Sequence, residues 1–241
     1  MIFRKTTFAI AACLFALQSP ASAETYTITA DEDNAPYSFI PFLVRRSNPR
    51  LYAYTDPPGE DGSTHSFEAY VGFPVGPETI PEDESVTSAT ISLIYAFDFD
   101  SFGDTNQDPG IARCYEVLEA WSENTLNWNN RPDAGGINDY FDEIVDIDSF
   151  GALTCDATAL VSEWINNSKP NYGIALKSPT ERVLGINSTE AEVIDALKPT
   201  LIIQTEVVEA VPTMSPLAIV FLAGVLSMGG ASVLVRNRGN S

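Results

Sequence analysis

The chain has 241 residues and a formal net charge of −20, from 33 acidic and 13 basic residues with a single histidine. Arg4, Lys5, Arg236 and Arg238 lie at the two ends, so the middle holds nine basic residues against all 33 acids, a net charge of −24. Such a surface repels nucleic acid and anionic polymers and attracts divalent cations, which argues against a nucleic-acid partner.

In chain order, Arg4 and Lys5 precede an apolar run from Phe8 to Leu17, and Ala21-Ser22-Ala23 follows as a small-x-small cleavage site. Residues 1–23 therefore read as a secretory signal peptide. Tyr26, Ile28 and Ala30 alternate with polar residues, as in a half-buried strand, and an acidic, proline-bounded loop follows from Asp31 to Pro41. Leu51 to Thr55 is a short strand, Asp56 to Gly62 a turn-rich loop, and Phe67, Ala69, Val71 and Phe73 alternate again. The strongest strand carries Ala89, Ile91, Leu93, Tyr95, Phe97 and Phe99 on one face of a two-residue repeat, which predicts a central strand. Ala112 to Trp121 and Leu126 to Trp128 read as a strand, a turn and a second short strand. Asp133 to Gly151 reads as a long acidic loop with Ile144 to Ile147 as a strand candidate. Asp156 is the expected N-cap of one short amphipathic helix, whose apolar stripe is Leu160, Val161, Trp164 and Ile165. Tyr172 to Leu176, Val183 to Ile186 and Thr200 to Val207 are further strands. Many short strands, one helix and long loops predict an all-β, antiparallel β-sandwich. Leu217 to Val235 is uncharged, and its nineteen residues would span about 28 Å as a helix, close to a bilayer core. Arg236 and Arg238 make residues 236–241 a basic cytoplasmic tail behind that transmembrane helix.

Cys13 leaves with the signal peptide, so Cys114 and Cys155 remain; they form one disulfide, or else two buried thiols. Asp98, Asp100, Asp104, Asn106 and Asp108 place five oxygen-bearing side chains within eleven residues, at a spacing that suits calcium. Pro109 stands where an EF-hand needs glycine, and the alternative is a solvated acidic turn. Asp139, Asp142, Glu143, Asp146 and Asp148 form a less regular acidic group. Trp121, Trp128 and Trp164 read as core, because each buries a large area and needs one partner for its indole N–H. The expected ligand-binding aromatics are therefore Tyr140 and Phe141, amid acids and amides, together with Tyr52 and Tyr54. His65 is the single histidine and carries no local catalytic signature, and no nucleophile elbow, zinc motif or phosphate loop is present. The chain therefore reads as a binding protein, not an enzyme.

The order of features resembles a known family. Ile80-Pro81 leads into Val86-Thr87-Ser88-Ala89-Thr90-Ile91-Ser92-Leu93. Trp121 to Leu126, Trp128 and Pro132 follow. Then come Leu160 to Trp164, Asn171 to Leu176, and Lys198-Pro199-Thr200-Leu201. Over residues 24–208 this resembles the DNRLRE-type domain, a jelly-roll β-sandwich of secreted and surface proteins of bacteria and archaea, some of whose members bind carbohydrates, alginate included. The basic motif that gives that family its name is absent, and Tyr70-Val71-Gly72-Phe73 carries no arginine. Residues 209–216, with Val211-Pro212-Thr213-Met214-Ser215, resemble a linker bearing an IPTL-type C-terminal sorting signal, with Pro216 where an acidic residue is usual. That resemblance implies an exosortase-like processing enzyme as partner, transient residence in the inner membrane, and a cell-surface or extracellular destination. The implied function is carbohydrate recognition, with calcium bridging the acidic surface to an anionic glycan or aromatics stacking on a neutral one. The alternative is a structural surface or biofilm-matrix protein without a small ligand. A polysaccharide-degrading enzyme is the third reading.

Overall fold

The computed structural model describes residues 23–55, 65–98, 110–136, 138–147, 151–180, 183–191 and 195–208. A compact unit ends at Val207, and every element described below belongs to it. Residues 1–22 and 209–241 lie outside the described residues, and with them almost all of the expected signal peptide, the sorting motif, the transmembrane segment and the tail. Among the described residues no helix is long and apolar enough to cross a membrane.

Twelve strands, a single α-helix and two 3-10 turns are present among the described residues. The strands are β1 (Thr25–Thr29), β2 (Glu32–Asn34), β3 (Arg50–Thr55), β4 (Ser66–Phe67), β5 (Ala69–Gly72), β6 (Glu84–Asp98), β7 (Gly110–Glu116), β8 (Asp142–Ile147), β9 (Gly151–Asp156), β10 (Ile174–Lys177), β11 (Leu184–Asn187) and β12 (Thr200–Val207). The helix α1 spans Thr158–Ile165. All described pairings are antiparallel. They form an all-β sandwich of two sheets, one ordered β1-β12-β6-β11-β3-β4 with β9 on β6, the other β2-β5-β10-β7-β8.

The alternation in β6 decides the layering. Ala89, Ile91, Leu93 and Tyr95 are buried, as the two-residue repeat requires. Thr90 to Ser92 are paired on one edge with β12 and on the other with β9, so this strand is central, as its sequence predicts. From the facing sheet Ala69, Val71, Cys114, Ile174 and Leu176 meet them in the main core. Leu160, Val161 and Trp164 of α1 join the same core, and Trp164 is 2% exposed.

The structure departs from the sequence reading at several points, beginning with Glu32–Asn34, which is strand β2 inside the expected Asp31–Pro41 loop. Gly151–Asp156 is strand β9, not the end of a loop. Only Leu153 and Cys155 of it point inward, too few apolar residues to be legible. The N-cap of α1 is Ala157, and Asp156, one residue earlier, accepts from the Thr158 amide at 3.0 Å and the Thr158 hydroxyl at 2.6 Å. The disulfide alternative holds: Cys114 of β7 is bonded to Cys155 of β9, with Cα atoms 6.6 Å apart, so the bridge joins the two sheets through the core.

Candidate functional site

The outer face of the five-stranded sheet carries a second apolar cluster. Tyr70 of β5, Tyr115 of β7 and Ala175 of β10 point away from the main core and are covered by Val117, Leu126 and Ala134. The covering segment is the tryptophan-bearing stretch 117–134. Leu126 to Trp128 does not form the expected strand; Trp128–Asn130 is a 3-10 turn. Its amides explain why. The Asn127 side chain accepts from the Asn129 amide at 3.0 Å, and the Asn130 side chain accepts from the Asn127 amide at 2.7 Å. This reciprocal capping satisfies the backbone locally and leaves no ladder to join. Asn34 of β2 ties the segment to the sheet by donating to the Glu123 carbonyl at 3.0 Å and the Leu126 carbonyl at 3.3 Å.

Two clefts flank this segment. The first has a volume of about 170 Å³ and is lined by Asp31, Glu32, Trp121, Tyr172 and Gly173, among others. Trp121 is half-buried, and its indole N–H donates to the Tyr172 carbonyl at 2.7 Å, which holds the ring in place. Gly173 sits at φ +78°, with the Val71 carbonyl 2.3 Å from where a Cβ would stand, so only glycine closes the floor of the cleft. Glu32 is raised above the usual carboxylate range, chiefly by burial and then by the charges of Asp31 and Glu123. Two carboxylates beside a fixed indole and a tyrosine are the chemistry that takes sugar hydroxyls and a C–H face together.

The second cleft, of about 350 Å³, is lined by Glu68, Glu119, Arg131, Asp133 and Lys177, among others. Glu68 organises it. It accepts from the Tyr70 hydroxyl at 2.6 Å and pairs with Arg131 at 3.3 Å and Lys177 at 3.9 Å. The Arg131 guanidinium lies 3.8 Å over the Trp128 ring, and the Lys177 ammonium 4.8 Å from the centroid of Tyr115. The cations of this cleft are thus already held by acids and rings.

The residues singled out from sequence are scattered. Asp98 ends β6 opposite Leu184, while Asp100, Asp104, Asn106 and Asp108 lie outside the described residues. In the second acidic group, Asp139 accepts from the Gly136 amide, Asp142 from the amides of Glu143 and Asp156, and Glu143 pairs with Arg113 at 2.5 Å. Asp148 lies outside the described residues. Among the described residues no three acidic, histidine or cysteine side chains gather as a metal-binding group. Tyr140 is half-buried, with Arg113 4.7 Å over its ring and Tyr115 at its edge. Phe141 packs against the main core. Tyr52 is half-buried beside Phe67 and beneath Arg45, and Tyr54 is 5% exposed. Tyr52 and Tyr54 belong to one sheet and Tyr140 and Phe141 flank a strand of the other, so the fold does not bring the four together. Trp121, read as core, packs against the second apolar cluster as expected but is only half-buried, and it also lines a cleft with Asp31, Glu32 and Tyr172. The usable sequence signal was the pairing of Tyr172 with a glycine at a strand entry.

The model of carbohydrate-binding module family 96 matches residues 17–205. No curated protein matches the chain.

Proposed function

Because this chain belongs to carbohydrate-binding module family 96, we propose that it is a non-catalytic glycan-recognition protein, exported to a cell-surface or matrix setting. The observation that carries the site assignment is the cleft in which Trp121 and Tyr172 stand beside Asp31 and Glu32. The carboxylates accept hydrogen bonds from sugar hydroxyls, and the indole offers a stacking face. A −24 surface repels uronates, so the ligand is a neutral glycan unless calcium intervenes. The acidic stretch from Asp98 to Asp108 is the proposed place for a bridging calcium. On this reading the jelly-roll topology and the C-terminal sorting signal serve presentation, and an exosortase-like enzyme processes residues 209–241.

A glycan array run on the exported protein, with and without EDTA, tests this. We expect binding to neutral glycans that survives chelation and falls at least tenfold, about 1.4 kcal/mol, in Trp121→Ala with the fold intact by circular dichroism. Binding abolished by EDTA would move recognition to the calcium route. Silence across neutral and acidic glycans would favour a structural matrix protein. Reducing ends released from a polysaccharide panel would show an enzyme.

A further inference from the structure

Asp33 stands on β2, opposite Val71, and is 1% exposed. Its Oδ2 accepts the Thr189 amide at 2.5 Å, and its Oδ1 has no partner. The loop after β11 wraps this carboxylate. The Ser188 amide donates to the Pro49 carbonyl at 3.3 Å, and the Ser188 hydroxyl accepts from the Glu190 amide at 3.2 Å. The Thr189 side chain and the Glu190 carboxylate both lie against Asp33. Among the described residues no lysine or arginine pairs with Asp33.

A buried carboxylate with an unmatched oxygen and a second carboxylate beside it is costly while both are charged, and a proton or a bound cation relieves it. Burial above all, with the charge of Glu190 added, pushes the Asp33 carboxyl up to about 7 against the pull of the Thr189 amide. The neighbouring donors are all oxygens, which suits a hard cation and not zinc. Glu190 is exposed and gives the ion an entrance from solvent.

We propose that Asp33 Oδ1 and the Glu190 carboxylate hold a calcium ion, with the Thr189 hydroxyl beside them and water completing the shell. The ion ties β2 of one sheet to the β11–β12 connection of the other. This site shares no residue with the glycan cleft, and it does not depend on the glycan reading.

The test is a thermal melt of chelator-treated protein near neutral pH, without glycan, against sodium chloride of matched ionic strength. We expect about 5 mM calcium to raise Tm by about 4 °C in the wild type, as for a weak extracellular site. Asp33→Asn, which keeps an acceptor for the Thr189 amide, loses the shift, and Glu190→Gln loses at least half of it. Glu78→Gln, at an exposed position away from both acidic stretches, keeps it. Glu190 is on the surface, so its variant folds even if the Asp33 variant does not. A wild-type shift below about 1 °C, or a shift retained in Glu190→Gln, overturns the proposal. So does a shift kept in Asp33→Asn.

Discussion

Gly173 sits at φ +78°, where an L side chain is strained, and the Val71 carbonyl occupies the space a methyl would need. The site depends on this one residue, because β10 starts at Ile174 and Tyr172 immediately before it lines the cleft. Strain and overpacking act together in Gly173→Ala, for a combined cost of about 3 kcal/mol or more. A urea titration should show the midpoint falling accordingly, with glycan binding weakened as Tyr172 shifts; an unchanged midpoint would contradict this account. The sequence displays Tyr172 and Gly173 side by side but not Val71 behind them, a contact between residues about a hundred positions apart. For the same reason the second role of Trp121 was not legible: it packs on the outer apolar cluster, as a core indole would, and nothing local shows that it also stands at the lip of a cleft.

Among the elements, α1 was legible almost to the residue, because Leu160, Val161 and Trp164 recur at helical spacing and all are buried. Its entry depends on Asp156, whose carboxylate is held below the usual range by the Thr158 hydroxyl first and the Thr158 amide second. Asp156→Ala should cost about 1 kcal/mol by loss of its bonds to the Thr158 amide and hydroxyl. A folded-state value below the unfolded one contributes stability above the unfolded value near 3.8, lost as pH falls through the folded value. Equilibrium unfolding of wild type and variant should therefore differ at neutral pH and converge in acid. A difference that persists below the folded value would exclude the carboxylate as its source. β9 was not legible, since a strand with two inward side chains has no period to detect, and its existence rests on the edge that β6 offers it. The turn at Trp128–Asn130 defeated a strand assignment for the opposite reason: asparagines at 127 and 130 satisfy the backbone within the segment.

For the molecule as a whole, the Cys114–Cys155 bond is the covalent link between the sheets, both sulfurs lying in the main core. Closing a loop of 41 residues stabilises by about 4 kcal/mol on the chain-entropy model. Reduction under mild denaturant, or the Cys114→Ala/Cys155→Ala pair, should lower Tm by on the order of 10 °C. Differential scanning calorimetry checks it, and a shift of only a degree or two would mean that packing alone joins the sheets. The cost is largest in salt-free buffer, where self-repulsion of the −24 middle region opposes compaction most.

By itself the amino-acid order determined the all-β class, the central strand, the helix and the acidic surface, because periodicity and charge are properties of short segments. It also left Cys114 and Cys155 as one disulfide or two buried thiols, without saying what a bridge would join. Only the tertiary structure decided that the bridge crosses the sandwich, that Trp121 meets Asp31, Glu32 and Tyr172 at a cleft, and that Asp33 is buried against Glu190. Those facts depend on which strands become neighbours and which faces are covered. Burial and juxtaposition are set by pairings such as β2 with β5 and β10 with β7, between segments far apart in the chain.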